Sequence, residues 1–249
     1  MSNKALLKEV QKRIEAVKKA DAAPKLVLED HLFPKQLEFV KDKSPRKTAV
    51  CSRRSGKSEA CAADLILTAE SEPNVNVAYI TLTRVSAKKI IWRIMKRILK
   101  DYQIQVAKID ESELSVEFKN GSMLYVSGAK DSSEIEKFRG MSLRKVYIDE
   151  LQSFRSYIKE LINDVIDPAT WDVDGTICLL GTPGPVPAGF FHDITHGSGW
   201  SNHKWTIFDN PFIKLKSKKD PQEILEQTLK QRGVGRDDPS IQREFIVSD

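Results

Sequence analysis

Apolar positions along this chain recur with two alternating periods. Between residues 4 and 20, Leu6, Leu7, Val10, Ile14 and Val17 return to one side of a helix whose other side is lysine and arginine. LFPKQLEFV follows, with Pro34 suited to the first turn of a helix that carries Gln36, Leu37 and Val40. From there strands and helices alternate. TAVCS reads as a short buried strand, residues 56–69 as a helix and NVAYITL as a second strand. Ser86 to Tyr102 reads as one long helix, apolar at Ile90, Ile91, Ile94, Met95, Ile98, Leu99 and Tyr102. LSVEFKNGSMLYVS reads as a hairpin turned at Asn120-Gly121, LRKVYIDE and TICLLGTPG as strands, and PQEILEQTLKQR and DDPSIQREFIV as helices.

Such alternation predicts an α/β fold with a mostly parallel central sheet, flanked by helices and binding its ligand beyond the strands' C-terminal ends. The hairpin is expected as an antiparallel addition. The pattern divides the chain into an N-terminal helical segment or lid over 1–33, a core over 34–211 and a C-terminal helical subdomain over 212–249. A length of 249 residues, 40% of them hydrophobic and 30% charged, suits one large globular domain. No apolar run approaches the roughly 20 residues that cross a bilayer, and the N-terminus lacks the apolar centre of a signal peptide, so a cytoplasmic protein is expected. Cys51, Cys61 and Cys178 form no CxxC pair, which leaves them to core packing. A net charge of +5 permits a polyanionic partner without requiring one.

The chemistry begins in SRRSGKSE, residues 52–59, between the first strand and its helix. Gly56-Lys57-Ser58 in that setting suits a phosphate loop: backbone N–H groups and the helix N-terminus cradle phosphate oxygens, Lys57 reaches the β and γ phosphates, and Ser58 ligates Mg²⁺. Cys51 stands where the usual pattern has its first glycine. Taken alone, the tripeptide is also an ordinary strand-to-helix turn with an exposed lysine. VYIDE supplies the second half, a buried strand delivering Asp149 for the metal and Glu150 as general base toward water. No Asn-Lys-x-Asp motif is present, so ATP is favoured over GTP. Thr182, at the end of LLGTPG, falls beside the same site and can sense the γ phosphate.

The ordered set of Gln36 in LFPKQLEFV, SRRSGKS, YITLTR, KNGSMLYV, FRGMSLRKVYIDE and LLGTP resembles the ATPase domain of the large terminase subunit of tailed double-stranded DNA bacteriophages, over about residues 30–245. The resemblance implies a P-loop NTPase of the RecA/ASCE type, ATP and Mg²⁺ as cofactors, and translocation of double-stranded DNA into a procapsid. It makes Cys51 an ordinary variant and assigns the nucleotide to Gln36, Ser52, Arg53, Arg54, Ser55, Gly56, Lys57, Ser58 and Glu59. Arg53 matches the family's loop arginine on the γ phosphate, Arg54 takes the usual glutamine position, and Gln36 matches a motif that reads the adenine edge. Arg139 matches an arginine proposed as a finger into a neighbouring subunit's site, the alternative being a salt bridge that holds its own loop. Thr182 matches the motif that couples hydrolysis to domain motion. Implied partners are the capsid portal protein, the small terminase subunit and further copies of the chain in a ring, a pentamer by resemblance, with a monomer expected in isolation. The implied location is the host cytoplasm, transiently docked on the procapsid portal.

For DNA, Lys88, Lys89 and Arg93 are candidate phosphate contacts on a helix that also carries Lys96, Arg97 and Lys100 with no acid before Asp101, a solvated face being the alternative, and Arg84, at the end of a strand, is another candidate contact. The family's nuclease domain would begin near Asp249, and the carboxylates of such a site are not supplied here, so no DNA cleavage is expected. Two rival readings are a fragment of a two-lobed helicase-like translocase and a non-hydrolysing, ATP-sensing DNA-binding module. QRGVGR superficially suits a second lobe, but too few residues separate it from Thr182 to build another sheet.

Overall fold

A computed structural model describes residues 25–154, 157–186 and 188–247. The helix expected over residues 4–20 lies outside the described residues. The centre is one eight-stranded sheet: β1 (Arg46–Cys51), β2 (Asn76–Thr81), β3 (Val106–Asp110), β4 (Ser115–Phe118), β5 (Met123–Gly128), β6 (Leu143–Ile148), β7 (Thr176–Gly181) and β8 (Ser201–Trp205). They lie in the order β3-β4-β5-β2-β6-β7-β1-β8. From β5 to β8 every neighbouring pair is parallel, and β4 runs antiparallel to both β3 and β5. The hairpin is therefore shared between two roles. Its second strand joins the parallel sheet on β2, because Val77, Tyr79 and neighbouring Val126 belong to the same buried layer.

Strands β2, β6 and β7 are buried over almost their whole length, as expected of a parallel sheet covered on both faces. One face carries Leu65, Ile66, Ile91, Met95 and Ile98; the other carries Ile135, Phe138, Leu161, Ile162 and Ile166. A third, smaller cluster gathers Ile207, Ile213, Leu225, Ile241 and Phe245 from the C-terminal segments. β3 and β8, the two edge strands, have mostly exposed or half-buried side chains and are absent from the apolar pattern that marks the others. The expected long helix is present in three pieces: Arg84–Ala87, a π-helical stretch Lys88–Trp92, and Arg93–Asp101.

Buried polar locks fix the helices that carry the site. Helix α1 (Pro34–Lys41) ends on the ammonium of Lys47 in β1, which is buried and donates to the carbonyls of Phe39 (2.7 Å), Val40 (3.1 Å) and Asp42 (3.0 Å). Helix α2 (Lys57–Ser71) is pinned to β6 through Asp64, whose carboxylate accepts from Lys145 Nζ at 2.8 Å and from the Tyr147 hydroxyl at 2.6 Å. Its C-terminal end is capped by Asn120 Nδ2, donating to Ala69, Glu70 and Glu72 carbonyls from the β4–β5 turn.

Removing one partner of a buried ion pair strands the other charge. Asp64→Ala is expected to lower stability by about 3 kcal/mol, and Asp64→Leu combined with Lys145→Met to recover most of it. Urea unfolding of the three chains measures both effects.

Candidate nucleotide site

The turn between β1 and α2 is held by its carbonyls. Gly56 O accepts from Gln36 Nε2 at 2.8 Å, Ser55 O from Trp205 Nε1 at 3.0 Å and Arg54 O from Asn210 Nδ2 at 3.0 Å. Arg53 O accepts from Ser52 Oγ at 3.2 Å, and Ser52 O from Lys57 Nζ at 3.4 Å. With every carbonyl from 52 to 56 taken by a side chain, the amides have turned the other way. The N–H groups of residues 54–58 make no hydrogen bond among the described residues. Together with the N-terminus of α2 they form a ready cradle for an anion.

Two left-handed residues make this reversal. Arg54 has φ 56° and Gly56 φ 87°. At Gly56 a side chain is disfavoured on both counts, since a Cβ would also lie 2.7 Å from Gln36 Nε2. Cys51, where a glycine was the expectation from the generic motif, is a buried strand residue below the turn, and burial pushes its thiol up. Ser55 Oγ is buried beside it, with no hydrogen-bond partner in good geometry among the described residues.

Above the turn opens a cavity of about 1040 Å³, lined by residues that include Gln36, Arg53 through Glu59, Glu150, Gln152, Thr182 and Asn210. Lys57 is buried, with its ammonium 3.4 Å from Thr182 Oγ1. Because β7 lies between β1 and β6, the loop, Thr182 and the Asp149-Glu150 pair reach one edge of the sheet side by side. Asp149 is fully buried beneath the cavity; Oδ2 accepts from the Tyr79 hydroxyl at 2.6 Å and Oδ1 from Glu150 N–H at 2.7 Å. Burial raises its carboxyl above the ordinary value, with Lys57 opposing and Glu150 adding to the shift. Glu150 turns the chain at φ 56°, a conformation that costs a non-glycine residue about 1–2 kcal/mol, and it presents its carboxylate to the cavity.

Several expected residues are engaged by protein groups, at the cavity or away from it. Ser52 is fully buried and spends its hydroxyl on Ile207 N–H at 2.6 Å, so it supports the loop from below. Gln36 is buried, with Nε2 on Gly56 O and Oε1 accepting from Phe33 N–H at 3.2 Å. Arg139 does not line the cavity; it pairs with Glu136 at 2.8 Å and donates to Asp164 O. Arg53 reaches across the cavity mouth toward Glu244 at 3.6 Å, its side chain largely exposed. Glu59 accepts from His31 at 2.9 Å and from Arg97. Burial is the largest influence on Glu59 and acts to raise it, yet the two hydrogen bonds outweigh it and hold the carboxyl below its usual range. The basic helix is thereby split: Arg97 turns to Glu59 and Lys96 to Glu111, while Lys88, Lys89 and Arg93 remain exposed without ion pairs among the described residues. Arg84 donates to Ser112 O beside a smaller cavity that Lys137 also lines.

Trp205, Asn210 and Gln152 were not singled out by the motifs. Asn210 stands before a proline, a local sign of a turn, but its reach to Arg54 spans 156 positions and follows only from the pairing of β8 with β1.

Residues 49–161 match the family described as terminase large subunit, T4-like-virus type, N-terminal. Over this stretch, less than half of its length, the chain is similar to the large terminase family. No curated protein matches the chain. Among solved structures, the large terminase of a thermophilic bacteriophage is 17% identical with a TM-score of 0.63, over 80% of this chain and 50% of that one. The bacteriophage HK97 large terminase is 16% identical with a TM-score of 0.66, over 86% and 50%. The Thermus phage P74-26 large terminase ATPase domain is 15% identical with a TM-score of 0.62, over 87% and 93%. The chain thus spans about half the length of the first two proteins and nearly all of the third, an isolated ATPase domain. Its α/β architecture is that of the large terminase ATPase domains, a P-loop ASCE fold.

Gly56→Ala is expected to cost at least about 1–2 kcal/mol from backbone strain alone, with the clash against Gln36 adding to it. Thermal unfolding followed by circular dichroism checks the loss.

Proposed function

We propose that this chain is the ATP-hydrolysing motor domain of a viral terminase large subunit, driving double-stranded DNA into a procapsid. One observation carries the reading: five backbone amides without partners among the described residues, a buried lysine, Glu150 and Thr182 meet at a single cavity, with Asp149 buried behind Glu150. The large terminase of the thermophilic bacteriophage, which shares the fold, has been solved with ADP and with ATP-gamma-S, which supports a nucleotide as the ligand of this cavity.

In this reading the amides of residues 54–58 and the Lys57 ammonium hold phosphate oxygens in place of water, a preorganised positive field where the transferred group gains charge. The residues suit Mg²⁺. Ser58 lines the cavity with a hydroxyl that has no hydrogen-bond partner among the described residues, and Asp149 is a buried carboxylate opposed by the charge of Lys57. Bound there by Ser58 and Asp149, Mg²⁺ would neutralise charge between the β and γ phosphates.

Glu150 orients the attacking water and accepts its proton. The exposed Arg53 guanidinium, whose one ion pair among the described residues is the long contact to Glu244, is free to swing onto the γ phosphate of its own subunit. Arg139 lies off its own cavity, so its contact with a nucleotide would be to that of a neighbouring copy, which couples sites around a ring. Gln36 keeps one N–H and one lone pair beyond its loop contacts, the two groups an adenine edge requires. DNA phosphates would meet Lys88, Lys89 and Arg93, with Arg84 further along the same segment, a grip that needs no base reading. Portal protein, small subunit and sister copies complete the machine.

Phosphate release tests the chemistry. Glu150→Ala should bind ATP as wild type does and lose about 100-fold or more in turnover, whereas equal turnover in both would sink the assignment. Turnover per chain should rise with protein concentration in wild type and stay flat in Arg139→Ala; flat behaviour in both removes the neighbour-subunit role.

A further inference from the structure

Gln152 stands two residues past Glu150, on the turn Leu151–Ser153, and lines the cavity floor. Both ends of its amide are engaged. Nε2 donates to Glu150 Oε2, and Oε1 accepts from the Thr182 backbone N–H at 3.2 Å. Thr182 Oγ1 lies in turn 3.4 Å from Lys57 Nζ. An unbroken chain therefore runs from Lys57 at the start of α2, through Thr182 beyond β7 and the Gln152 amide, to the carboxylate beyond β6.

The surroundings are shaped for that amide. Gly181 ends β7, and a Cβ there would come 2.6 Å from Gln152 Oε1 and 2.7 Å from the Phe191 ring. Bare backbone at Gly181 is what lets the amide lie against the strand end. Glu150 depends on it as well. Its backbone is held in the left-handed region, and Gln152 is the hydrogen-bond partner of its carboxylate among the described residues.

We infer that Gln152 is a positioning residue that ties the Glu150 carboxylate to Thr182, so that the aim of the proposed base follows the position of the strand end that faces the γ phosphate. This rests on the reading of Glu150 as the group that orients water. An amide suits the task because it donates at one end and accepts at the other. A carboxylate in its place keeps an acceptor for Thr182 N–H but cannot donate to Glu150, and it sets two like charges together.

The link has a signature independent of turnover. In ¹⁵N-labelled full chain, the Gln152 side-chain amide resonances should shift in Glu150→Ala, and in wild type AMP-PNP should move them more than ADP does. In turnover, Gln152→Glu should lower kcat about tenfold or more with KM for ATP within about twofold, while Gln152→Asn, which keeps donor and acceptor on a shorter arm, regains part of the loss. Amide resonances unmoved by Glu150→Ala, or wild-type kcat in Gln152→Glu where Glu150→Ala is silent, would overturn the inference. Should Glu150→Ala turn over like wild type, the reading of Glu150 fails, and the resonances still decide whether the Gln152 link exists.

Discussion

The site depends on where one short turn sends its carbonyls. A tight strand-to-helix connection leaves several backbone groups without partners from secondary structure, and buried polar groups without partners are costly. Here side chains from α1, from β8 and from the segment after β8 take the carbonyls of residues 54–56, and the opposing N–H groups are left facing one cavity. The anion cradle is thus not a property of the loop alone. It is imposed by Gln36, Trp205 and Asn210, which are far apart in the chain and are brought together by α1, β1 and β8.

The same economy operates on the other side of the cavity. Asp149 is kept in a fully buried position by hydrogen bonds from Tyr79 and from the next amide, and its own N–H stays bonded to Ile80 O of β2 immediately before the left-handed Glu150. Behind both halves, Asp64 with Lys145 and Tyr147 fixes α2 against β6. The loop on one element and the acids on another therefore keep their separation through a buried ionic contact. Satisfied polar networks of this kind set geometry that apolar packing alone leaves loose.

Much of this was legible in the chain. The buried parallel strands announce themselves through continuous apolar runs, and the Ser86–Tyr102 stripe through its period, although a π-helical turn at Lys88–Trp92 leaves no mark in that period. Edge strands β3 and β8 were missed because half of each faces solvent, which removes the hydrophobic signal that identifies a strand. The basic stripe from Lys88 to Lys100 looked continuous because its counter-charges, Glu59 and Glu111, lie in other elements. Ser52 shared the motif with its neighbours yet is fully buried, its hydroxyl held by Ile207 N–H from a segment 155 positions away.

What the sequence by itself determined is the chemistry on offer: a Gly-Lys-Ser turn after an apolar strand, an Asp-Glu pair ending another, and a threonine ending a third. These are local matters, written in residues a few positions apart and in the periods of burial. Which groups face the cavity was decided by tertiary structure alone. Strand order sets β7 between β1 and β6, and hydrogen bonds spanning from 20 to more than 150 positions orient the loop, so Gln36, Asn210 and Gln152 acquire their places only when the sheet closes around them.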